Sequence, residues 1–216
     1  MKFSKEEKFF DRTMLGSLCV FIIPILIGIL YYNRLPNEMA VHFNWKGVAD
    51  GYAPKWIALF GLVGILIIIH IVMIFMIKQD PKRVNQPAAI KHITIWLCPI
   101  ISVIVQVSII AYGMNEAFDV STYIIVGMGL LFMVIGNYLP KARQNYTIGI
   151  KLPWTLSDEN NWNKTHRLAG KIWVLCGALI VVLGIVKQMN MLLLIILIMI
   201  LVPSIYSFVI YKRKNE

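Results

Sequence analysis

The chain has 216 residues, 58% of them hydrophobic and only 15% charged, with a formal net charge of +10 and a mean hydropathy of +0.71. A water-soluble domain of this size carries about 25% charged and about 45–50% apolar residues. The composition therefore excludes an ordinary soluble fold and points to an integral membrane protein.

Crossing about 30 Å of hydrocarbon takes about 20 apolar residues in a helix. A helix is required because lipid offers no partner to unpaired backbone groups. Six segments qualify in chain order: 14–32, 56–77, 93–112, 121–139, 168–186 and 190–211. The expected fold is an all-α integral membrane protein with six transmembrane helices. The first run is no signal peptide, being too long, without a small-residue cleavage site and followed by further spans. Pro24, Pro99 and Pro203 fall inside spans and are expected to kink them.

Two connections are long. The first, 33–55, reads NRLPNEMAVHFNWKGVADGYAPK. Leu35-Pro36 ends the helix, since proline forces its predecessor out of the α region. MAVHF alternates like a short extended segment. Gly47 and Asp50-Gly51 are turn signals, and Trp56 opens the second span at the water–lipid interface. An ordered cap is expected.

The second long connection is the insert 140–167. Pro140 stops the fourth span, and Gly149 and Pro153 bracket GIKLPW, which is not helical throughout. Thr155 or Ser157 is placed to cap a new helix, with Asp158 and Glu159 near its positive end. That helix is expected to run unbroken into span five. At about 100° per residue Trp162, His166, Gly170 and Trp173 share one stripe, and Lys164, Arg167 and Lys171 the opposite one. The result is an amphipathic lead-in helix, one face toward phosphates and the other toward the bundle or a partner. Interfacial anchoring is the simplest role for Trp154 and Trp162.

Charge orients the chain. Lys and Arg number 17 in the termini, the second loop and the insert, against 4 in the other three loops. The positive-inside rule makes both termini and the insert cytoplasmic and loop 33–55 extracellular. Distributed over four cytoplasmic pieces, the positive charge favours the anionic inner leaflet at about 1 kcal/mol per nearby basic residue. No basic run has a nucleic-acid-binding fold behind it, so no direct nucleic-acid binding is expected.

Cys19, Cys98 and Cys176 lie in spans, odd in number and without a C-x-x-C pair or ligand-spaced His, which argues against disulfides and zinc. No H-E-x-x-H, G-x-S-x-G or P-loop pattern occurs. His166 with Asp158 and Glu159 is the one cytoplasmic cluster with acid–base potential, and the acids read as helix-terminus charges. No catalytic, cofactor or metal residue is assigned, and the chain is read as a non-enzyme. Three polar residues sit within spans. By the helical rise, His70 lies about 10 Å and Ser102 about 13 Å from the cytoplasmic ends of spans two and three, whereas Gln106 falls in the opposite leaflet. Ser102 is thus the expected partner of His70, in a packing role.

The segment GNYLPKARQNYTIGIKLPWTLSDENNWNKTHRLAGKIW, 136–173, resembles the defining segment of the SdpI family of bacterial membrane proteins. The resemblance rests on Gly136, Asn137, Asn145, Gly149, Lys151, Pro153, Trp154, Thr155, Leu156, Glu159, Trp162, His166, Arg167, Gly170 and Lys171. The first long loop is similar to the domain of unknown function that precedes this segment in many relatives, through Pro36, His42, Phe43, Gly47, Asp50, Gly51 and Lys55. The implied organisation is an N-terminal helix pair with its loop, 1–92, and an SdpI-like region, 93–216. The resemblance implies a multi-pass protein of the bacterial cytoplasmic membrane that gives immunity to a secreted peptide toxin and signals by tethering a transcriptional repressor of the ArsR type. Toxin contact would then fall on His42, Asn44, Trp45, Asp50 and Lys55. The insert's Asn137, Asn145, Gly149, Pro153, Trp154, Thr155, Glu159, Trp162, His166 and Arg167 would serve an inner partner or the fold. A small-solute transporter or an envelope-homeostasis protein is the alternative, since the two long loops hold corresponding places in a 3 + 3 inverted arrangement.

Overall fold

Among the described residues, six helices are long and apolar enough to span a membrane, at 12–34, 57–79, 88–114, 120–141, 159–185 and 189–214. They match the six predicted runs in number and order. The computed structural model describes residues 5–44, 46–115 and 118–216, with backbone alone for 5–11, 84 and 215. Trp45 lies outside the described residues.

The first span is two helices, α1 (Lys5–Val20) and α2 (Ile22–Tyr31), separated at Phe21. Pro24 supplies no N–H to the Val20 carbonyl and its ring crowds that carbonyl, which accounts for the break. Strands β1 (Glu38–Phe43) and β2 (Ala49–Pro54) follow, then a π-helical turn, Ile57–Gly61, that leads into α3 (Leu62–Gln79). The remaining helices are α4 (Ala88–Met114), α5 (Val120–Tyr138), α6 (Pro153–Ser157), α7 (Glu159–Ile185) and α8 (Leu192–Asn215). Pro99 and Pro203 sit inside α4 and α8 without ending them. The chain packs as two units, Met1–Phe75 with His92–Ile124 and Met76–Lys91 with Ile125–Glu216.

In the first unit the loop after α2 is an antiparallel hairpin, the one strand pair among the described residues of an otherwise helical protein. Its register runs from Glu38 opposite Pro54 to Phe43 opposite Ala49, with an irregularity around Val41. Asn44 shapes the turn, its Oδ1 accepting from the backbone N–H of Lys46 (2.9 Å) and Val48 (3.1 Å), and Gly47 takes φ +76°. Asp50-Gly51, expected as a second turn, lies within β2 instead. Pairing with β1 overrides its turn propensity, and a Cβ on Gly51 would come within 2.9 Å of His42 Cβ. The hairpin's inner face buries Met39 with Leu35, Ala58, Leu59, Ile109 and Ile110, while Phe43 meets Tyr112 edge-on. Deeper in this unit His70 Nε2 donates to Ser17 Oγ at 2.9 Å, because that hydroxyl spends its proton on the Met14 carbonyl. The expected His70–Ser102 bond is absent: Ser102 turns back to the Pro99 carbonyl of its own helix, at 2.7 Å. Gln106 is buried, its amide nitrogen filling the space beside Gly28.

The second unit is held by glycines. A Cβ on Gly129 would lie 2.7 Å from the Gly177 carbonyl oxygen, and one on Gly177 equally close to that of Gly129. Gly136 and Gly170 repeat this one step along, and Gly184 meets Ile125 and Val126. The α7 glycines recur every seven residues, as do Gly129 and Gly136 on α5, so the antiparallel helices approach backbone to backbone. Small residues are how membrane helices pack without a hydrophobic driving force between them. Beside this glycine ladder Trp173 packs edge-on against Phe132 of α5, and its Nε1 donates to the Met199 carbonyl of α8 at 3.0 Å. That carbonyl is available because Pro203, four residues on, has no N–H to offer it.

The ladder gives a matched test on one helix. Gly129→Ala must push against backbone and is expected to cost about 1–3 kcal/mol, whereas a Cβ on Gly127 meets nothing within 4 Å. Thermal unfolding in detergent should show a lowered midpoint for Gly129→Ala and none for Gly127→Ala. Equal midpoints would remove the close approach of α5 and α7.

Candidate functional site

The insert between α5 and α7 has little regular structure before α6, so its backbone polar groups need partners from side chains. Three buried residues supply most of them. Asn145 uses its whole amide: Oδ1 accepts from the N–H of Thr147 (2.8 Å) and Ile148 (2.6 Å), and Nδ2 donates to the carbonyls of Arg143 and Ile148, both at 2.8 Å. Thr155 accepts from the Leu152 N–H at 2.9 Å and donates to the Ile150 carbonyl at 2.8 Å, closing the turn into α6 with Pro153 at the first helical position. His166 donates from Nδ1 to the Trp162 carbonyl one turn back (2.8 Å) and accepts at Nε2 from the Ile150 N–H (3.0 Å). Those two bonds fix a neutral tautomer and leave neither nitrogen for proton transfer.

Gly149 is needed where the loop passes this imidazole. Its φ is +116°, and a Cβ there would lie 2.5 Å from His166 Nε2 and 3.0 Å from the Trp162 ring. Trp162 is fully buried, stacks on His166 at 4.0 Å and donates from its indole to the Ala142 carbonyl at 2.8 Å. It is a core residue of the insert, not an interfacial anchor.

The connection between α3 and α4 ties in from the side. Asp80, only 4% exposed, accepts from the Lys82 N–H through Oδ1 and from the Tyr146 N–H and Thr147 hydroxyl through Oδ2, at 2.8–2.9 Å. Gln86 exchanges two bonds with the Arg143 backbone. Lys82 donates to Gln144 Oε1 at 2.7 Å, and the Gln144 amide reaches the carbonyls of Thr155 and Leu156 in α6. The tail of α8 closes the other side. Trp154 donates to Ser207 Oγ at 2.8 Å and packs on Phe208 and Tyr211, while Asn161 donates to the Ser207 carbonyl and accepts from Thr165. Asp80, Gln86, Gln144, Asn161 and Ser207 are the members that motif reading does not find. Asn161 and Thr165 do stand one turn apart beside the Trp162–His166 stripe, which is the one signal the sequence offers for them.

The remaining predicted residues are dispersed. Asp158, rather than Thr155 or Ser157, caps α7, its carboxylate accepting from the Asn160 N–H at 3.0 Å. Thr155 already spends its hydroxyl inside α6, and Ser157 bonds back to the Trp154 carbonyl. Lys214 donates to Asp158 at 3.0 Å and holds the carboxyl below its ordinary range. Asn137, Glu159 and Arg167 are exposed, as are Lys164 and Lys171 on the face of α7 opposite the buried stripe. In the first unit His42 Nδ1 meets Asp50 at 2.5 Å on the hairpin's open surface, and Lys55 Nζ lies 4.6 Å over the Tyr32 ring.

Two outcomes follow. His166→Ala strips the Ile150 N–H of its partner, at about 1–3 kcal/mol for a buried group, while the Trp162 carbonyl keeps its helical bond. Trypsin should then cut faster at Lys151, with Asn137→Ala as the unaffected control; equal rates would show that His166 does not hold the insert. A carboxyl with a depressed folded pKa stabilises above its ordinary range and loses that contribution as pH falls through the folded value. Hydrogen exchange in the last turns of α8 should therefore rise on acidification below the ordinary carboxylate range, and Asp158→Ala should abolish this pH dependence.

Comparison with known proteins places these segments. Residues 141–207 match the SdpI/YfhL protein family, and residues 19–67 match the domain of unknown function DUF1648. The chain is 26% identical over 203 residues to the immunity protein SdpI of Bacillus subtilis (strain 168), covering 92% of this chain and 96% of that protein. No solved structure matches it. The first match holds Asn145, Gly149, Trp154, Thr155, Trp162, His166 and Ser207 together, the residues that build the insert. With six spans among the described residues and a bacterial relative of equal extent, this is a multi-pass bacterial cell-membrane protein whose residues 141–207 match the SdpI/YfhL family.

Proposed function

We propose that the chain is a membrane immunity protein that protects its cell against an extracellular peptide toxin. The observation that carries this reading is similarity running along nearly the whole of both chains to a protein named for immunity. A match confined to one segment would support the fold of that segment only.

The charge distribution supports an orientation with the hairpin outside and the insert, the loop after α3 and both termini inside. That loop, the insert and the α8 tail are hydrogen-bonded together in the second unit, as pieces on one membrane face would be. On this reading the open face of the hairpin, with His42, Asp50 and Lys55, meets the toxin. The insert presents its exposed surface to an inner partner, for which a tethered repressor of the ArsR type is the proposal. Coupling between the two would require a bundle whose two states differ in affinity for each ligand.

Survival tests the proposal. A toxin-sensitive bacterium without its own immunity gene should tolerate a sporulation-delaying-type peptide when this chain is expressed. Trp154→Ala, which removes the bond to Ser207, should lose protection while remaining in the membrane if the insert takes part, and His42→Ala with Asp50→Ala should lose it if the hairpin does. No protection at proven expression would overturn the immunity reading in favour of transport or envelope homeostasis.

A further inference from the structure

One surface of α7 has no role in the packing described above. Lys164, Arg167 and Lys171 fall within about 60° of one another at 100° per residue, on the side away from Trp162, His166 and Gly170. All three are exposed, and none is engaged by another described residue. One turn beyond Lys171 the same stripe changes character without a break. Leu175, Leu179 and Val182 continue it, 71%, 47% and 53% exposed. By the helical rise the cationic part is about 10 Å long and its lower end lies about 6 Å from Leu175.

Among the described residues of the second unit, no acid opposes this stripe. The second unit contains four carboxylate side chains, Asp80, Asp158, Glu159 and Glu216. Asp80 is buried and bonded to the insert, Asp158 pairs with Lys214, and Glu216 lies 3.4 Å from Lys212. Glu159 stands on α7 itself, about 140° around the helix from Lys164.

We propose that this stripe is a binding site for one anionic phospholipid. Arg167, Lys171 and Lys164 take the phosphate and the headgroup charge, and the acyl chain lies along Leu175, Leu179 and Val182. Arg167 offers a planar fork suited to phosphate oxygens, and the two lysines add point charge. The continuity of charge into exposed hydrocarbon-facing surface argues for a lipid over a soluble acidic protein, which would satisfy the upper half alone. Three cations without an opposing acid argue for an anionic over a zwitterionic headgroup.

The test uses the full chain purified in detergent and offered equal amounts of phosphatidylglycerol and phosphatidylethanolamine with matched acyl chains. Native mass spectrometry counts the lipid retained. The wild type should retain the anionic lipid at least about tenfold better, since each basic residue near a charged headgroup contributes about 1 kcal/mol. The combined variant Lys164→Gln, Arg167→Gln, Lys171→Gln should lose that preference. Lys141→Gln with Lys151→Gln, off the stripe, should keep it, and Leu175→Asn with Val182→Asn should weaken retention of both lipids. Thermal unfolding midpoints establish that each variant is folded, and Arg167→Gln alone serves if the combined variant is not. A preference that survives the combined substitution, or is missing from the wild type, overturns the proposal. So does loss of an acidic protein partner from that variant with lipid preference intact. The readout uses no toxin, so its failure and that of the immunity reading are separable.

Discussion

The imidazole of His166 joins the start of a membrane span to a loop that cannot hold itself together. One nitrogen is spent on its own helix, at the Trp162 carbonyl, and the other on the Ile150 N–H across a gap that only glycine at 149 leaves open. Around that contact the insert repeats one solution. Backbone groups with no ladder to enter are paired by buried side chains: Asn145 with four bonds, Thr155 across the turn into α6, and Asp80 from the neighbouring loop. Near lipid, where water is scarce, an unpaired amide or carbonyl costs more than in a soluble protein. The unit therefore depends on a polar core as much as on apolar packing.

The same economy appears in α8. Pro203 frees the Met199 carbonyl, the Trp173 indole takes it, and one turn on Ser207 receives both Trp154 and Asn161. A helix end that looks featureless in sequence is thus fastened at three levels, with the Asp158–Lys214 pair nearest the terminus. If the insert serves an inner partner, it presents a surface whose underside is fixed.

Much of this was legible in the residues. Six spans, the unbroken run of the fifth from Glu159 and the stripe of Trp162, His166 and Gly170 all follow from hydropathy and helical period, because both are local properties of the chain. The partners were not legible. His70 pairs with Ser17 on the first span, and depth arithmetic, which compares only heights in the bilayer, had pointed to Ser102. Asp50-Gly51 has turn propensity, yet strand pairing and the Asn44 turn claim that stretch first. Asp80 gives no signal at all, since a lone acid beside a proline reads as an ordinary solvated loop until the insert is seen folding onto it.

The glycine ladder has a thermodynamic consequence for the insert. Residues 139–158 join α5 to α7, and the ladder sets the register of those two helices through contacts that do not involve the insert's polar core. Closing a free loop of about 20 residues costs roughly 2.7 kcal/mol of chain entropy beyond a constant term. Here that cost falls on the packing of two membrane helices, so the polar core has only to choose among conformations of a segment whose ends are already in place.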